Sequence, residues 1–384
     1  MCLSFRSAVT IAIASLVLTL TNGTDSLRAQ DSAVPFSRVT IDDTPPARPW
    51  YKMLGDIDAD GSLDIIIAGA KGPLVWYGYP DWTKSEIAAG GWNGVKGAIG
   101  DVDRDGDVDI VMGGVVWFSN PGAAGRKWKM TRIDTRTAHD VELADLDRDG
   151  RLDVVARDQS AFGKSGNVIY VYRQNSPTSW DKHTIDCPHG EGLKLADLDG
   201  DQDTDIVIGG LWYENTGRAD RWLQNTYTTN WTEPDAKVEV ADLNGDGRLD
   251  IVLTPAELKG QRYKVAWYEA PADAKDREWL EHIIVRDIEC VIHSLAVGDI
   301  DRDGDVDVAI AEMHQGENPD EVTVHLNCGK GKEWSKQLLS NDGSHDIILG
   351  DIDGDGDLDI VGANHGGESH PVELWRNKLA DPSS

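Results

Sequence analysis

The sequence predicts an all-β fold, a seven-bladed β-propeller with four strands per blade. Three observations predict it. A nine-residue segment with aspartate at alternate positions recurs seven times without gaps. A β-branched run follows each copy directly, with strand-like periodicity before it and almost no helical periodicity anywhere. The last unit lacks a fourth strand, and a segment of the right character stands near the start of the chain.

The seven segments fix the repeat. Their acidic and amide positions 1, 3, 5 and 9 are Asp56, Asp58, Asp60 and Asp64 (loop 56–64), then Asp101, Asp103, Asp105 and Asp109 (loop 101–109). The third and fourth loops, 145–153 and 197–205, carry Asp145, Asp147, Asp149, Asp153 and Asp197, Asp199, Asp201, Asp205. The fifth, 242–250, has Asp242, Asn244, Asp246 and Asp250. The last two, 299–307 and 351–359, have Asp299, Asp301, Asp303, Asp307 and Asp351, Asp353, Asp355, Asp359. The first aspartates lie 45, 44, 52, 45, 57 and 52 residues apart, which is the period of a propeller blade or of a helical-pair repeat.

The strands decide between those two. A short alternating run such as HDVELA precedes the loop, and runs such as DIVIGG follow it. A third apolar run carries Trp or Tyr, as in LVWYGY and VAWYEA. A fourth starts on an aromatic with an aliphatic residue five positions on: Trp82 and Ile87, Trp128 and Ile133, Trp180 and Ile185, Trp279 and Ile284, Trp334 and Leu339. Blade four is irregular, with Trp222 and Tyr227 nearest the pattern. The final unit stops after VELWRN, and PFSRVTID, with Phe36 in the aromatic slot and Ile41 five later, completes it. Pairing the two ends closes the ring and removes the free sheet edge.

Residues 1–29 read as an export signal: Arg6, an apolar run from Ala8 to Leu20, then small and polar residues with a cut after Ala29. The propeller is expected over residues 30–379, with a tail at 380–384. No second apolar stretch follows, so no transmembrane segment is expected, and the location is secreted or periplasmic. The net charge of -30 would suit a disordered acidic chain, but 31 aspartates fall inside the seven loops. With 14 Trp and 40% hydrophobic residues, the remainder is ordinary globular material. Such a surface excludes nucleic acid as a partner, because phosphate binding needs clustered Lys and Arg. Cys187, Cys290 and Cys328 are too few and too scattered for a disulfide framework.

Carboxylates at alternate positions of a tight loop supply the hard oxygens that calcium prefers, position 7 offers a carbonyl, and Gly at position 6 permits the turn. An EF-hand would close with Glu at position 12 between helices, whereas each loop here runs into a strand. Up to seven structural Ca2+ ions are therefore expected. Loop four, with Gln202 in place of Gly, and loop five, with Asn244, are the weaker sites.

With these loops, exemplified by GDIDGDGDLDIVGAN around Asp351, the chain resembles the FG-GAP or VCBS repeat family of calcium-binding propellers. The resemblance implies that the first strand of each blade is innermost and runs toward its aspartate loop. Six positions before each first Asp then stand Trp50, Val95, His139, Glu191, Ala236, His293 and His345, at the opposite mouth of the central channel. Tyr51, Lys96, Asp140, Lys237 and Asp346 follow one position on, and strand-two ends add Lys71, Arg157, Asp158, Glu257, Glu312, His314, Asn364 and His365. His189 lies in the nearby segment HGEG.

Converging His, Glu and Asp suit two chemistries. They could hold a transition metal such as Zn2+ or Mn2+. Alternatively, a His or Tyr51 acts as base and acid in elimination on a carbohydrate ligand, with Arg157 or a lysine stabilising the developing charge. Trp50, Tyr51 and Trp117 would offer stacking faces to a sugar.

The rim segments HDVELADLD, HGEGLKLADLD, IHSLAVGDID, AEMHQG and ANHGG also resemble the propeller domain of aldos-2-ulose dehydratase. That likeness implies a keto-sugar dehydratase, with His139, Asp140, His189, Glu191, His293, His314, His345 and His365 as its site. The chain has no room for the further domains that accompany that propeller. Propeller lyases acting on polyuronates are a second analogue. Two other functions remain open from the sequence: a non-catalytic binding or adhesion module, and a metal-dependent sugar-binding propeller without chemistry.

Overall fold

The computed structural model describes residues 33–92, 94–122, 127–158, 167–317, 319–366 and 371–381; the expected signal segment, 1–29, lies outside them. The described residues form twenty-eight strands, β1 to β28 in chain order, and no helix. They make seven four-stranded antiparallel sheets. Six sheets take four consecutive strands each, and the seventh has the order β1-β28-β27-β26. In it β1 (Phe36–Asp42) pairs with β28 (Val372–Asn377), Phe36 opposite Asn377 and Thr40 opposite Glu373. The chain is an all-β seven-bladed propeller, closed by its N-terminal strand.

Packing explains why the blades form a ring. The second strands read DIIIAG, DIVM or DIVI and are buried throughout, because a middle strand has apolar neighbours on both faces. Seven separate apolar clusters result, each joining one pair of adjacent blades. Val361 and Leu374 of the last blade pack with Ile65 and Tyr77 of the first, so the seam is filled like the other interfaces.

The aspartate loops are wired alike. In loops one, two, three and five the position-1 carboxylate accepts backbone N–H bonds from positions 5 and 6, as Asp56 does from Asp60 and Gly61 at 3.0 Å each. The position-9 carboxylate is buried and accepts one N–H from position 2 and one from the end of strand three. For Asp109 these donors are Val102 at 3.0 Å and Asn120 at 2.7 Å. Gln202 takes the left-handed φ of 73° otherwise given to Gly and still donates to Asp197, at 2.9 Å. Positions 1, 3 and 9 bring their oxygens within 4.8 Å of one another in loops one to four, as a cation site requires.

Candidate functional site

Each inner strand joins an aspartate loop to the far mouth of the channel. In blade three, β10 (Asp140–Ala144) starts beside His139 and ends beside Asp145. Those six steps span roughly 20 Å at about 3.3 Å per residue. The loops and the mouth therefore occupy opposite ends of the ring. Between them lies a cavity of about 390 Å³ lined by Lys52, Lys96, Glu142, Lys194, Lys237 and Glu239, among others. Lys96 meets Glu142 at 2.7 Å, and Lys194 meets Glu239 at 2.8 Å.

At the mouth three donors from three blades converge. His139 Nε2 is 3.0 Å from one Glu191 carboxylate oxygen, and His293 Nε2 is 3.3 Å from the other. Glu191 and His293 are 0% exposed and His139 is 6% exposed. His139 Nε2, both nitrogens of His293 and both oxygens of Glu191 have no hydrogen-bond partner. Leaving such groups buried and unpaired costs about 1–3 kcal/mol each. The ligand atoms of the trio lie within 4.8 Å of one another. Two ligands bound tetrahedrally at about 2.0–2.1 Å sit roughly 3.3 Å apart, so these separations suit a shared cation better than mutual hydrogen bonds. The donor set, two imidazoles and a carboxylate, fits Zn2+ or Mn2+. Glu257 Oε1, 3.3 Å from His293 Nε2, is a fourth oxygen nearby.

The surroundings hold this trio in place. His139 Nδ1 meets Asp140 Oδ2 at 3.0 Å, the carboxylate support that orients metal-binding imidazoles. Asp140 also accepts the Gly192 N–H at 2.9 Å. Lys237 Nζ stands 3.8 Å from Asp140 Oδ1 and offsets some of the buried negative charge. Gly192 has φ of 87°, and a Cβ there would lie 2.1 Å from the Ala236 carbonyl oxygen, so only glycine fits.

Electrostatics point to a missing positive charge. Burial opposes a charge on His139, yet the Glu191 and Asp140 carboxylates outweigh it and raise its pKa to about 10. Burial would raise Glu191, but His139 and His293 hold it well below the usual carboxylate range. Two buried carboxylates thus demand a cation between them, supplied by a proton or by a metal. Farther out, burial and then the neighbouring His293 and His365 rings keep His345 neutral. His365 is pushed down to about 3 by burial and then His314.

The structure gathers most of the sequence-derived candidates and separates three. His139, Asp140, Glu191, His293, His345, His365 and His314 form one connected group. His293 stacks on His345 at 4.4 Å, and His365 touches both His345 and His314 edge-on at 4.4 Å. Trp50 stacks on His345 at 5.9 Å. His189 sits half-buried in the turn that presents Glu191.

Tyr51 does not join the group: it is 0% exposed in the apolar cluster between blades one and two, and burial drives its pKa far up. That placement corrects its expected role as acid or base. Arg157 is corrected as well. Its guanidinium is buried and donates to the carbonyls of Glu191 at 2.6 Å, Gly192 at 2.7 Å and Pro188 at 3.1 Å. It braces the turn and is not aimed at a ligand. Trp117 belongs to the core between blades two and three.

Counting along the strands placed Lys237 and Glu257 near the mouth but not their partners. Lys52 escaped notice altogether. It is buried, donates to the carbonyls of Pro49 (2.6 Å) and His345, and is driven down to about 7 by burial. A lysine in the middle of an otherwise apolar strand was its only signal.

With this geometry in view, comparison with known proteins adds the family. The FG-GAP-like repeat family matches residues 56–112, 197–253 and 299–362. Three stretches of this chain therefore match FG-GAP-like repeats. No curated protein matches this chain in sequence. Among solved structures, it superposes on BBS1N in complex with ARL6DN, soaked with mercury or with lead, at TM-scores of 0.53 and 0.55. Identity is 11% in both, over 89% of this chain and 96% and 97% of those chains. Rhamnogalacturonan lyase YesW gives a TM-score of 0.49 and 14% identity, over 91% of this chain and 76% of that one. At such identities the BBS1N likeness establishes the propeller fold alone, and the lyase likeness carries no functional weight. No helix among the described residues of this propeller is long and apolar enough to cross a membrane.

Proposed function

We propose that this FG-GAP propeller is an exported, calcium-stabilised enzyme that eliminates across a carbon–oxygen bond of a keto-sugar or uronate at its His-rich mouth. A divalent transition metal held by His139, Glu191 and His293 is its cofactor. The observation that carries the proposal is the buried trio of donors from three blades, converging without hydrogen-bond partners. Calcium in the aspartate loops, export and the carbohydrate ligand belong to the same proposal.

The trio fits the chemistry. A metal there would supply buried positive charge behind the mouth, stabilising the negative charge that develops on the carbonyl or carboxylate oxygen beside the acidic C–H. The chain's own residues do the rest. His365, half-buried at the mouth, takes the proton from the carbon next to that carbonyl. The electron pair of the broken C–H bond forms the new C=C bond, and the C–O bond at the next carbon breaks. The exposed imidazole of His314 returns a proton to the departing oxygen, releasing water or an alcohol. Trp50 walls one side against His345 and His365.

The test is direct. Zinc- or manganese-loaded protein, incubated with polyuronates and with keto-sugars, is followed by the ultraviolet absorbance of the unsaturated product. Glu191→Gln is expected to lower the rate by at least about 100-fold, the usual scale for losing a metal's contribution. No product from either substrate class, or an undiminished rate in Glu191→Gln, would overturn the proposal.

A further inference from the structure

The trio is sealed: Glu191 and His293 are 0% exposed, and Asp140 behind His139 is fully buried as well. A hydrated ion must shed its water before arriving, and a wall of apolar side chains would offer nothing in exchange. The structure supplies a different lining. From the exposed His314, rings succeed one another inward through half-buried His365 and buried His345 to His293, with centroids 4.4 Å apart at every step. Nδ1 of His365, His345 and His293 are buried and without hydrogen-bond partners. Buried nitrogens are ordinarily satisfied, so three in succession along one line call for an explanation. Trp50 closes one flank, 5.9 Å from His345 and 6.2 Å from His365.

We infer that the contiguous imidazoles His314, His365 and His345 form an inward path for a divalent transition metal, passing the ion by ligand exchange from solvent to His139, Glu191 and His293. This rests on the metal site proposed above. Each step replaces water or one imidazole by the next, so no fully stripped ion crosses the mouth. Imidazole binds Zn2+ and its neighbours far better than it binds calcium. The path would therefore admit the mouth's metal and pass over the calcium that fills the aspartate loops.

A path residue touches the ion only in transit. Its loss must slow arrival and departure by the same factor, leaving the equilibrium affinity unchanged. A ligand's loss would change the affinity instead. The experiment uses the full mature chain saturated with calcium and mixed rapidly with Co2+, whose visible absorption reports imidazole coordination. His365→Ala, and His314→Ala at an exposed position where folding is not at stake, are compared with the unaltered chain. Both are expected to slow association and dissociation on the order of tenfold, with the same final spectrum and Kd. Unchanged rates would overturn the path while leaving the site intact, and so would a change in Kd without a matching change in both rates. Absence of any Co2+ spectrum in the unaltered chain would instead remove the metal site and the path together.

Discussion

His139 shows how much one side chain's surroundings can decide. Its Nε2 faces Glu191, its Nδ1 rests on Asp140, and Lys237 stands behind that carboxylate. Asp140 thus fixes which ring nitrogen points at Glu191. Supporting carboxylates of this kind are worth about 10–100-fold in metal affinity, and Asp140→Asn is expected to lose that much in a Co2+ or Zn2+ titration. An unchanged affinity would mean that His139 is not a ligand. The sequence placed His139, Glu191, His293 and His345 at one level because the inner strands are nearly equal in length, so a count from the loops carries across blades. It could not place Arg157 or Tyr51. Both roles depend on which way a strand-end side chain turns and on what backbone it meets, and no local pattern encodes that.

Between elements, the structure shows a tie that the repeat pattern left unread. Asn ends strand three, or directly follows it, in four blades: Asn120, Asn215, Asn327 and Asn377. Its side chain donates to the position-2 carbonyl of the preceding blade's loop. Asn215 reaches Leu146 at 2.8 Å, Asn377 reaches Ile300 at 2.8 Å, and Gln174 reaches Val102 in the same way at 3.0 Å. The asparagine was visible in YENT and VHLN, yet the spacing within one repeat cannot reveal a bond between two. Asn215 also accepts the Gly217 N–H at 3.0 Å and is 0% exposed. Asn215→Ala therefore leaves several buried groups unpaired and is expected to cost about 2–4 kcal/mol. The measurement is the urea midpoint in saturating calcium. A change within about 0.5 kcal/mol, the range of ordinary surface substitutions, would show that apolar packing alone joins the blades.

Across the whole molecule, the ring and its charge belong together. Blade count, strand order and closure by residues 36–42 were legible because each blade repeats one pattern and the missing strand was visible at the other end of the chain. The mouth was legible only as a level, because its chemistry is assembled from blades three, four and six, far apart in sequence. Thirty-one loop aspartates in a chain of net charge -30 repel one another unless cations are bound. Calcium bound as proposed in these loops would favour the folded chain over the open one, so chelation is expected to lower Tm strongly and in a concentration-dependent way. A melting curve indifferent to chelator would contradict the calcium assignment. The central claim is that the mouth holds a second kind of metal. A crystal of calcium-saturated protein grown with Zn2+, measured on both sides of the zinc absorption edge, tests it most directly. The account predicts one anomalous peak bonded to His139 Nε2, Glu191 and His293 Nε2 at about 2.0–2.2 Å, with calcium alone in the loops. An ordered mouth without that peak would contradict it.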